Sequence, residues 1–184
     1  MKKLLSALLA ASMVFTMSSV AFAEGAQEEI QKGGTLVVAL PMAPATLDNV
    51  YYSSSYENMV MYQICDTLIE YNAEYNDYVP KLATEWSVSE DGLDYYFTLR
   101  DDVYFSNGRK LTAEDVKYSF DRTATSPNDR IGKGYYSGTD VIDETHLVVH
   151  TSEICGPFLG YIAVPGAMIV PKEEVEAAGS DWGV

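Results

Sequence analysis

Two histidines, His146 and His150, are the first residues to weigh for chemistry. They stand four apart in HLVVH, a run of strand character. On a strand, residues four apart share a face but are well separated along it. That is poor geometry for one metal ion, whose paired histidines usually come from a helix turn or a tight loop. Asp91 and Asp94 flank a Gly92 turn, and Glu114 and Asp115 follow Thr112 at a helix start. Turn and capping chemistry accounts for both pairs. Neither G-x-S-x-G, H-E-x-x-H nor a phosphate-cradling loop is present. No catalytic residue, metal ligand or cofactor is therefore assigned. Tyrosine is the stronger signal, with 14 in the chain. Tyr51 and Tyr52 precede Ser53, Ser54 and Ser55, and Tyr135 and Tyr136 lie in the glycine-rich stretch IGKGYYSG. A loop tyrosine offers an apolar face and a polar tip, suited to a small-molecule pocket. Packed or merely exposed rings are the plainer alternative.

The elements that must position these residues can be read from periodicity. Thr35–Leu40 (TLVVAL) lacks alternation and predicts a strand buried on both faces, ended by Pro41 and Pro44. A loop from Met42 to about Ser54 leads to a predicted helix over Ser55–Asp66. Its expected apolar face carries Tyr56, Met59, Val60 and Ile64, with Ser54 or Ser55 as cap. Leu68–Tyr71 predicts a strand and Asn72–Asp77 a turn-rich interval. Leu93, Tyr95, Phe97 and Leu99 alternate with polar neighbours, giving a strand that pairs with Glu85–Val88 across the Ser89–Gly92 turn. Val103 and Phe105 form a short further piece. Thr112 caps a helix whose inner face is Ala113, Val116, Phe120 and Ala124, stopped at Ser126-Pro127-Asn128. A second hairpin joins Asp140–Ile142 to His146–Val149. A short helix is expected over Pro157–Ala163, and another opens at Pro171 and ends at Gly179. Interleaved strands and helices place the chain in the α/β or α+β class.

Lys2 and Lys3, the apolar run Leu4–Val20 and the small-residue site Ala21-Phe22-Ala23 read as a secretory signal peptide, residues 1–23. A membrane anchor is the rival reading, but the run is short for a span and no basic flank follows it. No cysteine stands at the cleavage point for lipid attachment. Removing Lys2 and Lys3 from 12 basic residues leaves 10 against 27 acidic ones, so the formal charge moves from −15 to −17. That balance argues against nucleic acid and anionic membrane surfaces as partners. Glu24–Glu29 reads as a flexible leader. In an oxidising compartment Cys65 and Cys155 are able to pair, though two buried free thiols is the simpler reading.

The motifs resemble a known family. ATLDN (Ala45–Asn49) is similar to the S-L-D-P element of the family 5 extracytoplasmic solute-binding proteins, the dipeptide, oligopeptide, nickel and sugar receptors of ABC importers. YVPKLATEWSVSEDGLDYYFTLRDDVYFSNGRKLTAEDVKYSF (Tyr78–Phe120) resembles that family's most recognisable stretch. Members there read P-x-L-A-x-x-W, D-G, F-x-L-R, V-x-F-x-x-G and L-T-A-x-D-V-x-Y-S. The matching residues include Pro80, Trp86, Gly92, Arg100, Gly108, Thr112 and Asp115. Asn49 departs from the pattern, where a proline is usual.

The resemblance implies the class II periplasmic-binding-protein fold, an α/β architecture. Residues 24–184 would supply only the N-terminal portion of a bilobed solute-binding domain. It implies a secreted protein, in the periplasm or on the cell-envelope exterior. That protein would capture a peptide or related small molecule between two lobes and deliver it to ABC permease subunits, without catalysis. Lining residues would come from Tyr51, Tyr52, Ser53, Ser54 and Ser55 and from Tyr135 and Tyr136. The loop hydroxyls and the free N–H groups of the helix after them would meet an anionic or peptide-like solute. The alternatives from the residues themselves are a secreted carbohydrate-binding module acting through exposed tyrosines, or a secreted hydrolase using paired carboxylates.

Overall fold

The computed structural model describes residues 33–127, 130–131 and 134–184. The signal-peptide and leader readings, and parts of the Ser126–Asn128 stop and the IGKGYYSG stretch, lie outside the described residues. The chain divides into two units, Met1–Ala39 and Leu40–Val184. Of the first, Gly33–Ala39 is described; it is irregular and exposed, with Leu36 87% and Val37 86% accessible. The strand expected over Thr35–Leu40 is thus not formed. An apolar run becomes a strand only when a neighbouring backbone completes its ladder.

In the second unit, α1 (Ser55–Ile64) is followed by the hairpin β1 (Ile69–Asn72) and β2 (Asp77–Pro80). Asn76, in left-handed conformation at φ 52°, lets this chain reverse. The main sheet contains β3 (Ala83–Val88), β4 (Asp94–Leu99), β5 (Tyr136–Val141) and β6 (His146–Thr151), in the order β3-β4-β6-β5 with every ladder antiparallel. Gly92, at φ 75°, closes the β3–β4 turn. Val103 and Phe105 do not make a strand; only Tyr104 bridges, to Lys110.

Helix α2 (Ala113–Ala124) lies against this sheet, with α3 (Phe158–Ile162) and α4 (Lys172–Ala178) after it. The alternation in β4 turns Tyr95, Phe97 and Leu99 inward. They join Leu147 and Val149 of β6, Ala113, Val116 and Phe120 of α2, and Phe158 and Ile162 of α3 in one core. The Tyr95 ring lies 4.7 Å from that of Phe158, and its hydroxyl donates to the Cys155 carbonyl at 3.2 Å, satisfying a buried polar tip. Cys65 and Cys155 are free thiols, the first half-buried and the second buried.

The face expected of α1 is corrected. Met59 and Ile64 are exposed, and Glu57 and Met61 are the buried positions. A polar demand at the helix start sets its rotation, as shown below. No helix among the described residues is long and apolar enough to cross a membrane.

Candidate ligand-facing loop

The segment between Leu40 and α1 is built by its own polar side chains. Asp48 accepts the Val50 N–H at 3.0 Å, and its carbonyl accepts the N–H groups of Tyr51 and Tyr52. Thr46 Oγ1 accepts the Asp48 N–H at 3.0 Å. The Asp48 carboxylate is 3% exposed and would be costly there alone. Arg122 of α2 meets it with two parallel hydrogen bonds, Nη1 to Oδ1 at 2.8 Å and Nη2 to Oδ2 at 2.5 Å.

Asn49, where the family pattern carries proline, is also buried. Its Nδ2 donates to the carbonyls of Met168 at 3.1 Å and Gly166 at 3.4 Å, and its Oδ1 accepts from Arg122. Thr123 Oγ1 reaches the same Gly166 carbonyl at 3.0 Å, and Ser119 Oγ accepts the Val170 N–H at 3.0 Å. Loop 46–50, helix α2 and segment 166–170 are laced into one polar seam. From the other end of the chain, the Gly183 carbonyl accepts the Leu47 N–H at 2.7 Å and the Thr46 hydroxyl at 3.2 Å.

The predicted site residues fall in different settings. Tyr51, Ser53 and Ser55 are exposed and Ser54 is half-buried. Tyr52 is corrected from a loop ring to a core ring. It is 6% exposed and packs with Met61 and Met168 in a satellite core. Arg130 covers it, with its guanidinium 4.1 Å from the ring centroid and Nη2 donating to the Tyr52 carbonyl at 3.0 Å. Tyr136 is not a loop residue but the first of β5. Its ring meets Phe120 edge-on at 6.1 Å, and its hydroxyl donates to Asp121 Oδ1 at 2.6 Å and accepts from the Thr139 hydroxyl at 2.9 Å. Burial pushes the Tyr136 phenol well above its ordinary pKa. Tyr135 is half-buried against the main core. Tyr52 and the Tyr135–Tyr136 pair therefore belong to separate packing clusters, and exposed Tyr51 to neither.

The residue that sequence reasoning missed is Glu57. It is 1% exposed, and its carboxylate accepts three backbone N–H groups: Ser54 at 2.6 Å, Ser53 at 2.9 Å and Ala45 at 3.2 Å. Bonding led by the Ser53 N–H holds its carboxyl below the ordinary range. The free helix N–H groups expected to meet a solute here are thus partly occupied from within. The spacing Ser54-x-x-Glu57 carried the signal, since a serine cap with glutamate three residues on is a capping box.

Two hollows adjoin the seam. One, of about 390 Å³, is mostly apolar and is lined by Leu47, Cys65, Leu111, Ile169, Trp182 and Gly183 among others. The other, of about 380 Å³, lies on the outer side of α2 between Lys117, Asp121, Arg122 and Lys172. Neither is lined by Tyr51–Ser55 or by Tyr135 and Tyr136. His146 is paired with Asp143 at 2.9 Å, and His150 stands between Asp94 at 2.8 Å and Asp140 at 3.2 Å. No group of three histidine, cysteine or carboxylate residues among the described residues is arranged to hold a metal ion.

Comparison with known proteins sets this geometry in context. Residues 77–183 match the model of the bacterial extracellular solute-binding proteins, family 5 Middle. The probable D,D-dipeptide-binding periplasmic protein DdpA of Escherichia coli (strain K12) is 30% identical over 156 residues, 79% of this chain and 29% of that protein. The probable di/tripeptide-binding protein 5 of Pseudomonas aeruginosa (strain UCBPP-PA14) is 39% identical over 101 residues, covering 51% of this chain and 19% of its own. Among solved structures, the PBP AgaA from A. tumefaciens R10, in complex with agropinic acid, superposes with TM-score 0.68 at 26% identity, over 76% of this chain and 28% of that one. Haemophilus influenzae OppA, in complex with RPPGFSPFR, superposes with TM-score 0.69 at 21% identity over 77% of this chain and 31% of its own, a likeness of fold alone. The chain spans less than a third of the length of each of these proteins.

Proposed function

The chain belongs to the bacterial extracellular solute-binding proteins, family 5, and we propose on that premise that it serves as the extracytoplasmic receptor of an ABC importer. In this reading it captures a peptide or a related small solute without altering it and presents it to the permease subunits. The observation that supports it most is the continuity of the family match. Residues 77–183 take in all four strands of the main sheet, the capped helix α2, and the segment 166–170 that anchors the loop before α1.

Tyr51, Ser53 and Ser55 are the part of the predicted site whose side chains remain accessible, and Tyr135 is half-open. They offer one aromatic face and neutral hydroxyls to a solute. This surface is one wall of a cleft, because a pocket that buries most of a ligand needs enclosing walls. Export to the periplasm or cell-envelope exterior fits both the receptor role and the acidic, N-terminally apolar chain.

Calorimetric titration with di- and tripeptides tests the reading, with oligosaccharides as controls. It is run on the 184-residue chain and, where the coding frame continues past Val184, on the longer product. The expected result is peptide binding without hydrolysis, weak in the 184-residue chain and micromolar or better in any longer product. Oligosaccharide binding without peptide binding, or turnover of any peptide, would overturn it.

A further inference from the structure

We infer that Arg130 is a carboxylate anchor: its guanidinium, laid on the Tyr52 ring, receives a carboxylate group of the solute. The anion seat rests on charge and geometry. That the carboxylate belongs to a captured solute rests on the receptor reading.

The chain has four arginines, and three are matched to acids. Arg100 meets Asp102 at 2.9 Å, Arg109 meets Asp115 at 2.6 Å, and Arg122 holds Asp48 through both terminal nitrogens. Arg130 pairs with no carboxylate among the described residues, although the chain carries 27 acidic residues against 12 basic ones. The acids of the neighbouring loop are engaged elsewhere, Asp48 by Arg122 and Glu57 by backbone N–H groups. Within the Arg130 guanidinium, Nε is buried and meets no acceptor among the described residues, and Nη2 makes its one bond to a neutral carbonyl. Buried donors are nearly always paired, so an orphan points to a water, ion or ligand that completes the bonding.

The guanidinium is fixed before any anion arrives. Its carbon stands 4.1 Å from the Tyr52 ring centroid, and Nη2 donates to the Tyr52 carbonyl at 3.0 Å. Its stem packs on Gly166, where an added Cβ would come within 2.5 Å of the Arg130 Cβ. The Gly166 carbonyl in turn accepts from Asn49 and Thr123. Stacking occupies the face of a guanidinium and leaves its in-plane donors for a carboxylate. A donor held this way loses little freedom on binding. Exposed Tyr51 and Ser53 flank Tyr52 in the chain, so the charge stands among neutral groups. One guanidinium answers one negative charge. A carboxylate is matched there, whereas a doubly charged phosphate stays half-compensated in a chain of formal charge −15.

The test has three arms. In the parent protein, sodium acetate is titrated against the four arginine Nε–H resonances, with sodium chloride at equal ionic strength as control. The Arg130 signal, identified by its loss in Arg130→Gln or Arg130→Lys, is expected to shift to saturation while the other three stay. An equal shift with chloride, or one shared by all four arginines, would mean an adventitious ion only and overturn the seat. In Arg130→Gln the acetate response at the Tyr51 and Tyr52 backbone amides is expected to vanish; its persistence would also overturn the seat. Where Arg130→Gln does not fold, the parent titration decides. The third arm compares alanyl-alanine with its C-terminal amide on the parent protein. The amide is expected to bind about tenfold or more weaker, as the loss of a charged hydrogen bond requires. Equal affinity would overturn the assignment of the seat to the solute. Saturable acetate binding with no response to either dipeptide would strike the receptor reading for these solutes and leave the anion seat standing.

Discussion

Arg122 reaches across from α2 to hold Asp48 with both terminal nitrogens, at 2.8 and 2.5 Å, where the two side chains are only 18% and 4% exposed. Seventy-four positions separate them in sequence, and the pair fixes the loop ahead of the candidate site to the main domain. Removing one partner leaves the other charge buried without an answer. Arg122→Met and Asp48→Asn are each expected to cost about 3–5 kcal/mol. The double variant should cost clearly less than the sum, because contacting residues are not additive. Urea unfolding of the two singles and the double measures the coupling. Strict additivity would show that the bond does not bear on stability.

Helix α2 owes its start to Thr112 and Asp115. Asp115 is 2% exposed and accepts the Thr112 N–H at 3.0 Å, while Arg109 donates to both its oxygens at 3.0 and 2.6 Å. Burial raises the Asp115 carboxyl's pKa, and the Arg109 and Thr112 bonds more than reverse it, so its net pKa is lowered. Thr112→Ala is expected to cost about 1 kcal/mol, the usual value of an N-cap. Asp115→Ala should cost more, since it also removes both of Arg109's hydrogen bonds to the buried carboxylate and leaves that guanidinium with Glu173. Chemical denaturation that ranks the two in the opposite order would contradict this account.

Such features were legible in the sequence because they are local. The alternation Leu93-Tyr95-Phe97-Leu99 and the Thr112 cap each declare themselves within a few residues, and the structure places Tyr95, Phe97, Val116 and Phe120 in the core. Strand β2 was missed because four residues ending in Pro80 carry almost no pattern; it exists through its register with β1. The rotation of α1 was misjudged because a polar requirement at Glu57 outranked the spacing of Met59 and Ile64. The close approach of Gly183 to Asp48 has no local signal in the sequence. A Cβ there would run into the Asp48 backbone, and its φ is 80°, but nothing near position 183 announces a contact at position 48. Within the candidate site, the composition of the Tyr51–Ser55 loop was readable. Which of its two adjacent rings points inward was not, since Met168 and Arg130 decide that from afar.

His150 gives the fold a pH dependence of definite sign. It sits on β6 between Asp94 of β4 and Asp140 of β5, at 2.8 and 3.2 Å. The Asp94 hydrogen bond, aided by Asp140, raises its pKa above the ordinary 6.5 against partial burial. A raised folded value means the imidazolium's stabilisation is complete below about 6.5 and is lost as pH climbs through the folded value. Thermal midpoints of the parent and His150→Gln, compared from about pH 5 to about pH 9, should converge as pH rises. Parallel profiles would show that the histidine's charge is irrelevant to stability.

Tyr51 and Tyr52 are neighbours with opposite fates, and their variants should fail differently. Tyr52 lies in the satellite core with Met61 and Met168, under the Arg130 guanidinium. Truncating a buried aromatic leaves a cavity, so Tyr52→Ala is expected to cost about 3–5 kcal/mol. Tyr52→Phe should lose far less, because the ring supplies the packing and the face for Arg130. Tyr51 is 57% exposed, and Tyr51→Ala is expected to change stability by no more than about 0.5 kcal/mol. If the loop faces solute as proposed, Tyr51→Ala should weaken peptide affinity by about tenfold, equivalent to roughly 1.4 kcal/mol. Urea midpoints read the stability contrast and calorimetry the affinity one. A Tyr52→Ala midpoint equal to the parent's would mean that the satellite core does not hold the loop. An unchanged affinity in a folded Tyr51→Ala protein would move the solute contact away from this ring.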